Sequence, residues 1–156
     1  MEKTTQASTD FNGNNQILET SNISSDYAVE IFVPTDSLAT LYSKPFLLVP
    51  DPGKNKVIEF IDAVFIYKFG TKSMSDGGSI YISYLGFSTL SDAVSAITLI
   101  GDDSNKVIPM QLAGTADMIL PVNFGLYLQM TECDFDKGIS TSSAKLHVIY
   151  RIHTIE

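Results

Sequence analysis

The chain has 156 residues, 44% of them hydrophobic and 18% charged, with 18 acids against 10 bases for a net charge of −8. That length fits one domain, and such a domain buries roughly 68–70% of its unfolded surface, enough to fold without a metal or a disulfide. An acidic chain with no basic stripe is repelled by phosphate backbones, which argues against nucleic acid as a direct partner.

Residues 1–26 differ in composition from the rest. Fourteen of them are Ser, Thr, Asn or Gln, and only six are apolar. A segment so polar cannot bury enough surface to offset its own ordering entropy. It reads as an N-terminal arm, flexible or ordered by a partner, with Phe11, Ile17 and Leu18 as candidate anchors. The opening residues lack a basic stretch followed by an apolar run, so no secretion signal is read there. No apolar run reaches the ~18 residues of a membrane span, and synthesis in a cytoplasm is expected.

From residue 27 to 156 the pattern changes to short apolar runs separated by turn residues, the body of the protein. Tyr27–Val33 reads as a strand, closed by Pro34-Thr35-Asp36-Ser37, because Pro fixes φ and Asp and Ser bond their own backbone. Leu38–Tyr42 reads as either loop or a single helical turn. Pro45–Val49 is a second strand, ended by Pro50-Asp51-Pro52-Gly53. Val57–Phe69 is the longest run, rich in β-branched and aromatic residues. Both of its alternating sets are apolar, Val57, Ile61, Ala63, Phe65 and Tyr67 on one side and Ile58, Phe60, Val64 and Ile66 on the other. Such a strand is expected to be covered on both faces, by a second sheet and by a neighbouring subunit. Asp62, inside that run, either finds a partner such as Arg151 or turns to water, and the second reading is preferred.

Ser79–Leu85 is a further strand. Leu90–Ile100 carries Ala93, Ala96 and Ile97 at near-helical spacing and predicts a short helix. Lys106–Leu112 is a strand interrupted by Pro109, which places it at an edge or a bulge. Phe124–Thr131 and Lys145–Ile155 are expected to pair as a final hairpin or as neighbours, around the loop Glu132–Ser143. Cys133 in that loop is the only cysteine, which excludes an internal disulfide, and its acidic neighbours disfavour a reactive thiolate. The whole predicts an all-β fold: an antiparallel β-sandwich, jelly-roll-like, with at most one short helix.

Catalytic chemistry finds little to stand on, and no enzyme and no cofactor are expected. His147 and His153 are the only histidines. Six residues apart, they share one face of a strand about 20 Å from each other, too far to hold one metal. No nucleophile elbow and no phosphate-binding Gly-x-x-x-x-Gly-Lys loop is present. Asp134-Phe135-Asp136-Lys137-Gly138 resembles the start of a calcium loop but lacks the ligand before the Gly and the closing Glu. It reads as a solvated turn, and no metal is expected.

One set of segments resembles small virion proteins of tailed phages. Leu47-Leu48-Val49-Pro50-Asp51-Pro52-Gly53-Lys54-Asn55-Lys56-Val57-Ile58 is similar to the turn those proteins place before a long strand, and Phe65-Ile66-Tyr67-Lys68-Phe69-Gly70-Thr71 to the end of that strand. Gly77–Tyr84, Gly125–Leu128 and Ala144–Ile152 continue the likeness, which covers roughly residues 45–152; the 26-residue polar leader is longer than theirs. The resemblance implies an antiparallel sandwich used as a head-decoration, head-fibre or tail-accessory module in a virion. Its implied partners are copies of itself, as a homotrimer or a dimer, and other virion proteins; it carries no catalytic residue across. Ile58, Phe60, Phe65, Tyr67 and Ile149 are then candidate interface residues. The competing reading is a module binding host glycans or a receptor through Asp102–Asn105 or Glu132–Ser143.

Overall fold

The computed structural model describes residues 6–9, 15–18, 26–87, 89–99, 103–114 and 120–156. In the arm, β1 (Gln6–Thr9) pairs antiparallel with β2 (Asn15–Leu18). The body begins with β3 (Asp26–Val33) and a short helix, α1 (Thr35–Ala39). Pro34 ends the strand and its carbonyl accepts the first helical bond from Leu38 N–H at 2.9 Å. This turn of helix buries Leu38 and Ala39 under the strands.

Six main strands follow: β4 (Phe46–Val49), β5 (Lys56–Lys68), β7 (Ile80–Tyr84), β8 (Lys106–Gln111), β9 (Leu126–Met130) and β11 (Ser143–Thr154). Two-residue strands β6 (Ser75–Asp76) and β10 (Phe135–Asp136) pair with each other across the loops at one end. The larger sheet runs β3-β11-β5-β8 and the smaller β4-β9-β7. Every pairing is antiparallel.

The expected helix over 90–100 is mostly extended backbone. Residues 89–94 bridge to β7 through Ile80↔Val94 and Ser83↔Thr89, and only Ala96–Leu99 forms a single helical turn, α2. Pairing to β7 outweighs the weak helical spacing of two alanines and an isoleucine, as tertiary context does with propensity. Leaving aside the two-residue strands β6 and β10 and counting 89–94 as the fifth of eight extended segments from β3 onward, the sheets read 1-8-3-6 and 2-7-4-5. That order is two Greek keys wound into a jelly roll. The same segment reaches the other sheet through Ser91↔Leu112, which ties β7 to the end of β8.

β9 and β11 do not form the expected hairpin: β9 lies between β4 and β7, and β11 between β3 and β5. The loop between them crosses from one sheet to the other, so its ends serve different layers. β8 is an edge strand as Pro109 requires, since a residue without N–H costs least where one side of the strand has no neighbour.

The core lies between the sheets. Ile58, Phe60, Phe65, Leu146 and Val148 from the larger sheet meet Ile80, Ile82, Leu126 and Leu128 from the smaller. β5 feeds this core with an irregular alternation. Ile149 of β11 faces Asp62 and Tyr150 faces Phe60, which leaves Ile61 as an extra residue, a β-bulge. The bulge reverses the parity, so Ile58 and Phe60 before it and Ala63, Phe65 and Tyr67 after it all point inward. Asp62 closes the bulge by accepting the Ala63 N–H at 2.8 Å. It lies half-buried on the outer side, and Arg151 pairs elsewhere.

Candidate docking surfaces

Three regions of the surface bear on function: the outer faces of the two sheets and the loops at the α1 end.

The outer face of the larger sheet is ordered in rows across its four strands. One row reads Phe32–Lys145–Ile66–Val107, the next Glu30–His147–Val64–Pro109, and the third Ala28–Ile149–Asp62–Gln111. Phe32 is 60% exposed, Val107 70% and Ile149 38%. Val64 and Ile66 are half-buried among them. The charged groups of this face are bonded sideways within it. Glu30 accepts from Lys145 at 2.7 Å and faces His147 at 3.2 Å. Arg151 bridges Asp26 at 2.7 Å and Glu59 at 3.3 Å, and His153 meets Glu59 at 2.7 Å. The Lys145 hydrogen bond holds the Glu30 carboxyl below its ordinary value against desolvation, with the Lys145 and His147 charges adding to it.

The histidines therefore do share one face, as their spacing implies, each beside a glutamate. On the opposite, core-facing side of the same two strands, Tyr27 stacks on Tyr150 with ring centroids 5.4 Å apart.

The outer face of the smaller sheet carries Leu47, Tyr127, Tyr81 and Gln129 as cross-strand neighbours. Gln129 donates to the buried Ser83 hydroxyl, which in turn donates to Tyr84 carbonyl at 3.0 Å. Beside it Phe87 meets Phe124 edge-on at 5.1 Å and Tyr84 at 6.2 Å.

The loop Glu132–Ser143 is braced against the rest of its end of the sandwich. Asp134 Oδ1 accepts the N–H groups of Tyr42 at 2.9 Å and Ser43 at 3.0 Å. Desolvation works to raise this carboxyl, but the hydrogen bonds from Ser43 and Tyr42 outweigh it and lower it below 3.8. Asp136 accepts Gly138 N–H at 3.0 Å, and Lys137 bonds Asp36 of α1. Both aspartates of the calcium-like stretch are thus spent on backbone groups. Gly78 lies so close to Thr131 that a Cβ there would sit 1.6 Å from its carbonyl oxygen, which admits only glycine. Lys72, Met74 and Asp136 line an open hollow at this end. Among the described residues no cluster of three metal-ligating side chains occurs, and no helix is long and apolar enough to cross a membrane. Cys133 is exposed.

The candidate interface residues fall into three groups. Ile58, Phe60 and Phe65 are fully buried and Tyr67 is 1% exposed; all four are core between the sheets and not surface. The parity reversal at Ile61 is the reason, because it turns the first half of one apolar set (Ile58, Phe60) and the second half of the other (Ala63, Phe65, Tyr67) inward, where a regular strand would turn one whole set out. Ile149 is on the outer face. Phe11 lies outside the described residues, and Ile17 and Leu18 belong to β2, for which backbone alone is described. Phe32 and Val107, the most exposed apolar side chains of that face, escaped the sequence reading. Tyr27–Val33 and Lys106–Leu112 alternate legibly, but which side faces out depends on pairing to β11 and β5. Of the candidate glycan loops, Asp102 lies outside the described residues and Glu132–Ser143 is the braced loop just described.

Comparison with protein-family models, with curated proteins and with solved structures finds no match to this chain.

Proposed function

We propose that this chain is a non-enzymatic structural component of a tailed-phage virion, a capsid decoration, head fibre or tail accessory that assembles with copies of itself and docks on other virion proteins. The observation that carries this reading is the outer face of the larger sheet, where Phe32, Val107 and Ile149 lie in the open around Val64 and Ile66. Exposed apolar side chains gathered on one face among paired charges suit a contact site. The jelly-roll order adds support by analogy, since viral capsid domains use this architecture, and so does the resemblance of residues 45–152 to phage virion proteins. The mechanism is assembly by mass action: apolar area leaves water between subunits, at about 25 cal/mol per Å², against the entropy of association.

The test is location. Gold-labelled antibody against the chain should decorate purified virions at a fixed station, head, neck or tail. Particles that carry none of it would remove the reading.

A second reading is favoured by Tyr81, Tyr127 and Gln129 on the smaller sheet. Jelly rolls also serve as lectins, and aromatic rings beside a polar amide suit a sugar. On a glycan array this reading requires a hit that Tyr127→Ala loses; an array without a hit removes it.

A further inference from the structure

We infer that the outer face of the β3-β11-β5-β8 sheet is the docking site for a second copy of this chain, laid face to face on the same surface. The inference rests on the self-assembly reading above and adds to it the surface and its occupant.

Charge comes first. The whole chain carries −8, so two copies repel at long range. This face holds three bases (Lys68, Lys145, Arg151) against four acids (Asp26, Glu30, Glu59, Asp62), a formal −1. It is therefore a surface on which an acidic protein can meet itself at little electrostatic cost. Its ions are also bonded in the plane of the sheet, Glu30 to Lys145 and Arg151 to both Asp26 and Glu59. Covering a charge that keeps its partner avoids the large penalty of burying it alone.

Symmetry comes second. A two-fold axis along the strands lays β3 of one copy over β8 of the other. In the first row this sets Phe32 opposite Val107 of the second copy, the two most exposed apolar groups of the face, at opposite edges of one sheet. The edges are about 14 Å apart, three strand spacings. The paired faces of two sheets stack in this aligned manner at ordinary twist. Such a contact is isologous and closes at two copies.

Area comes third. Four strands at ~4.8 Å and eight residues at ~3.4 Å present about 500 Å² per copy, or about 1,000 Å² for the pair, where specific interfaces begin. The eight residues are those of β3 in register with β11.

Sedimentation velocity of the full chain at tens of micromolar, with far-UV circular dichroism as a check on folding, decides the matter. The wild type should sediment as a dimer. Val107→Asp and Phe32→Asp should each weaken association by about tenfold or more and release folded monomer. Leu47→Asp, on the outer face of the smaller sheet, should leave it unchanged. Val107 is so exposed that its replacement does not threaten the core. A monomeric wild type overturns the inference, as does association indifferent to both aspartates or lost in Leu47→Asp alone. An oligomer held by another surface would leave self-assembly standing, whereas virions lacking the chain would remove the virion reading whatever the oligomer.

Discussion

Two tyrosines in the core stand in opposite positions towards hydrogen bonding. Tyr84 donates its hydroxyl to the Ile58 carbonyl across the sandwich, and burial, helped by the Glu59 charge, pushes that hydroxyl far above its ordinary value. Tyr67 is as deeply buried, yet among the described residues its hydroxyl has no partner. An unmade bond costs more than a made one returns, about 1–3 against about 1 kcal/mol. Tyr67→Phe should therefore leave stability unchanged or raise it by about 1 kcal/mol, while Tyr84→Phe should lower it by about 1 kcal/mol or more. Urea unfolding of the two variants beside the wild type checks both signs. Asp134 offers a pH-dependent case. Its folded value lies below the ordinary 3.8, so the stability it contributes is full above that value and is lost as pH falls through the lowered one. The stability gap between wild type and Asp134→Ala should be constant near neutrality and close below pH 3.8. A gap that widens on acidification would refute the role given to the Tyr42 and Ser43 bonds.

The element that decides the fold is β5, and its bulge is where reading by alternation stops working. The composition of Val57–Phe69 identifies a strand, and the structure has one at Lys56–Lys68. Its parity cannot be read, because an extra residue at Ile61 leaves no mark in composition: Ile fits either side of a strand. The same loss of parity assigned Ile58 and Phe65 to a surface. It supplies a test by deletion. Removing Ile61 joins Phe60 to Asp62 in regular alternation, so Phe60, Ala63 and Phe65 still face inward. Removing Val64 instead also closes the ladder, with Phe65 still opposite Leu146, but it turns Asp62 inward opposite Val148 and Ala63 outward, which buries a carboxylate in the core. The Ile61 deletion should fold with a modest loss of stability, and the Val64 deletion should be insoluble or molten. Near-ultraviolet dichroism and urea midpoints distinguish them; equal behaviour would mean that the bulge does not set the register. Other elements differ in legibility for reasons of range. Turns at Pro34 and Pro50–Gly53 announce themselves locally, and Pro109 places β8 at an edge. The separation of β9 from β11, and the capture of 89–94 by β7, are set by pairings across the sandwich that no local window contains.

At the scale of the molecule, the jelly roll hides one face of each sheet and leaves the other to solvent. The all-β class was legible from turn spacing and β-branched runs. The docking face was not, because its rows join residues from four separate segments, Phe32, Lys145, Ile66 and Val107 among them. The expectation that β5 is covered on both sides rests on composition, and Val64 and Ile66 are apolar and face outward. The covering layer would come from another copy.

The solution mass of the full chain, taken by light scattering over a range of concentrations, tests that most directly. A dimer that persists to low micromolar concentration is the result expected if the open face of the larger sheet docks a second copy. A monomer across the whole range would contradict it and leave the open face of the larger sheet without the role given to it here.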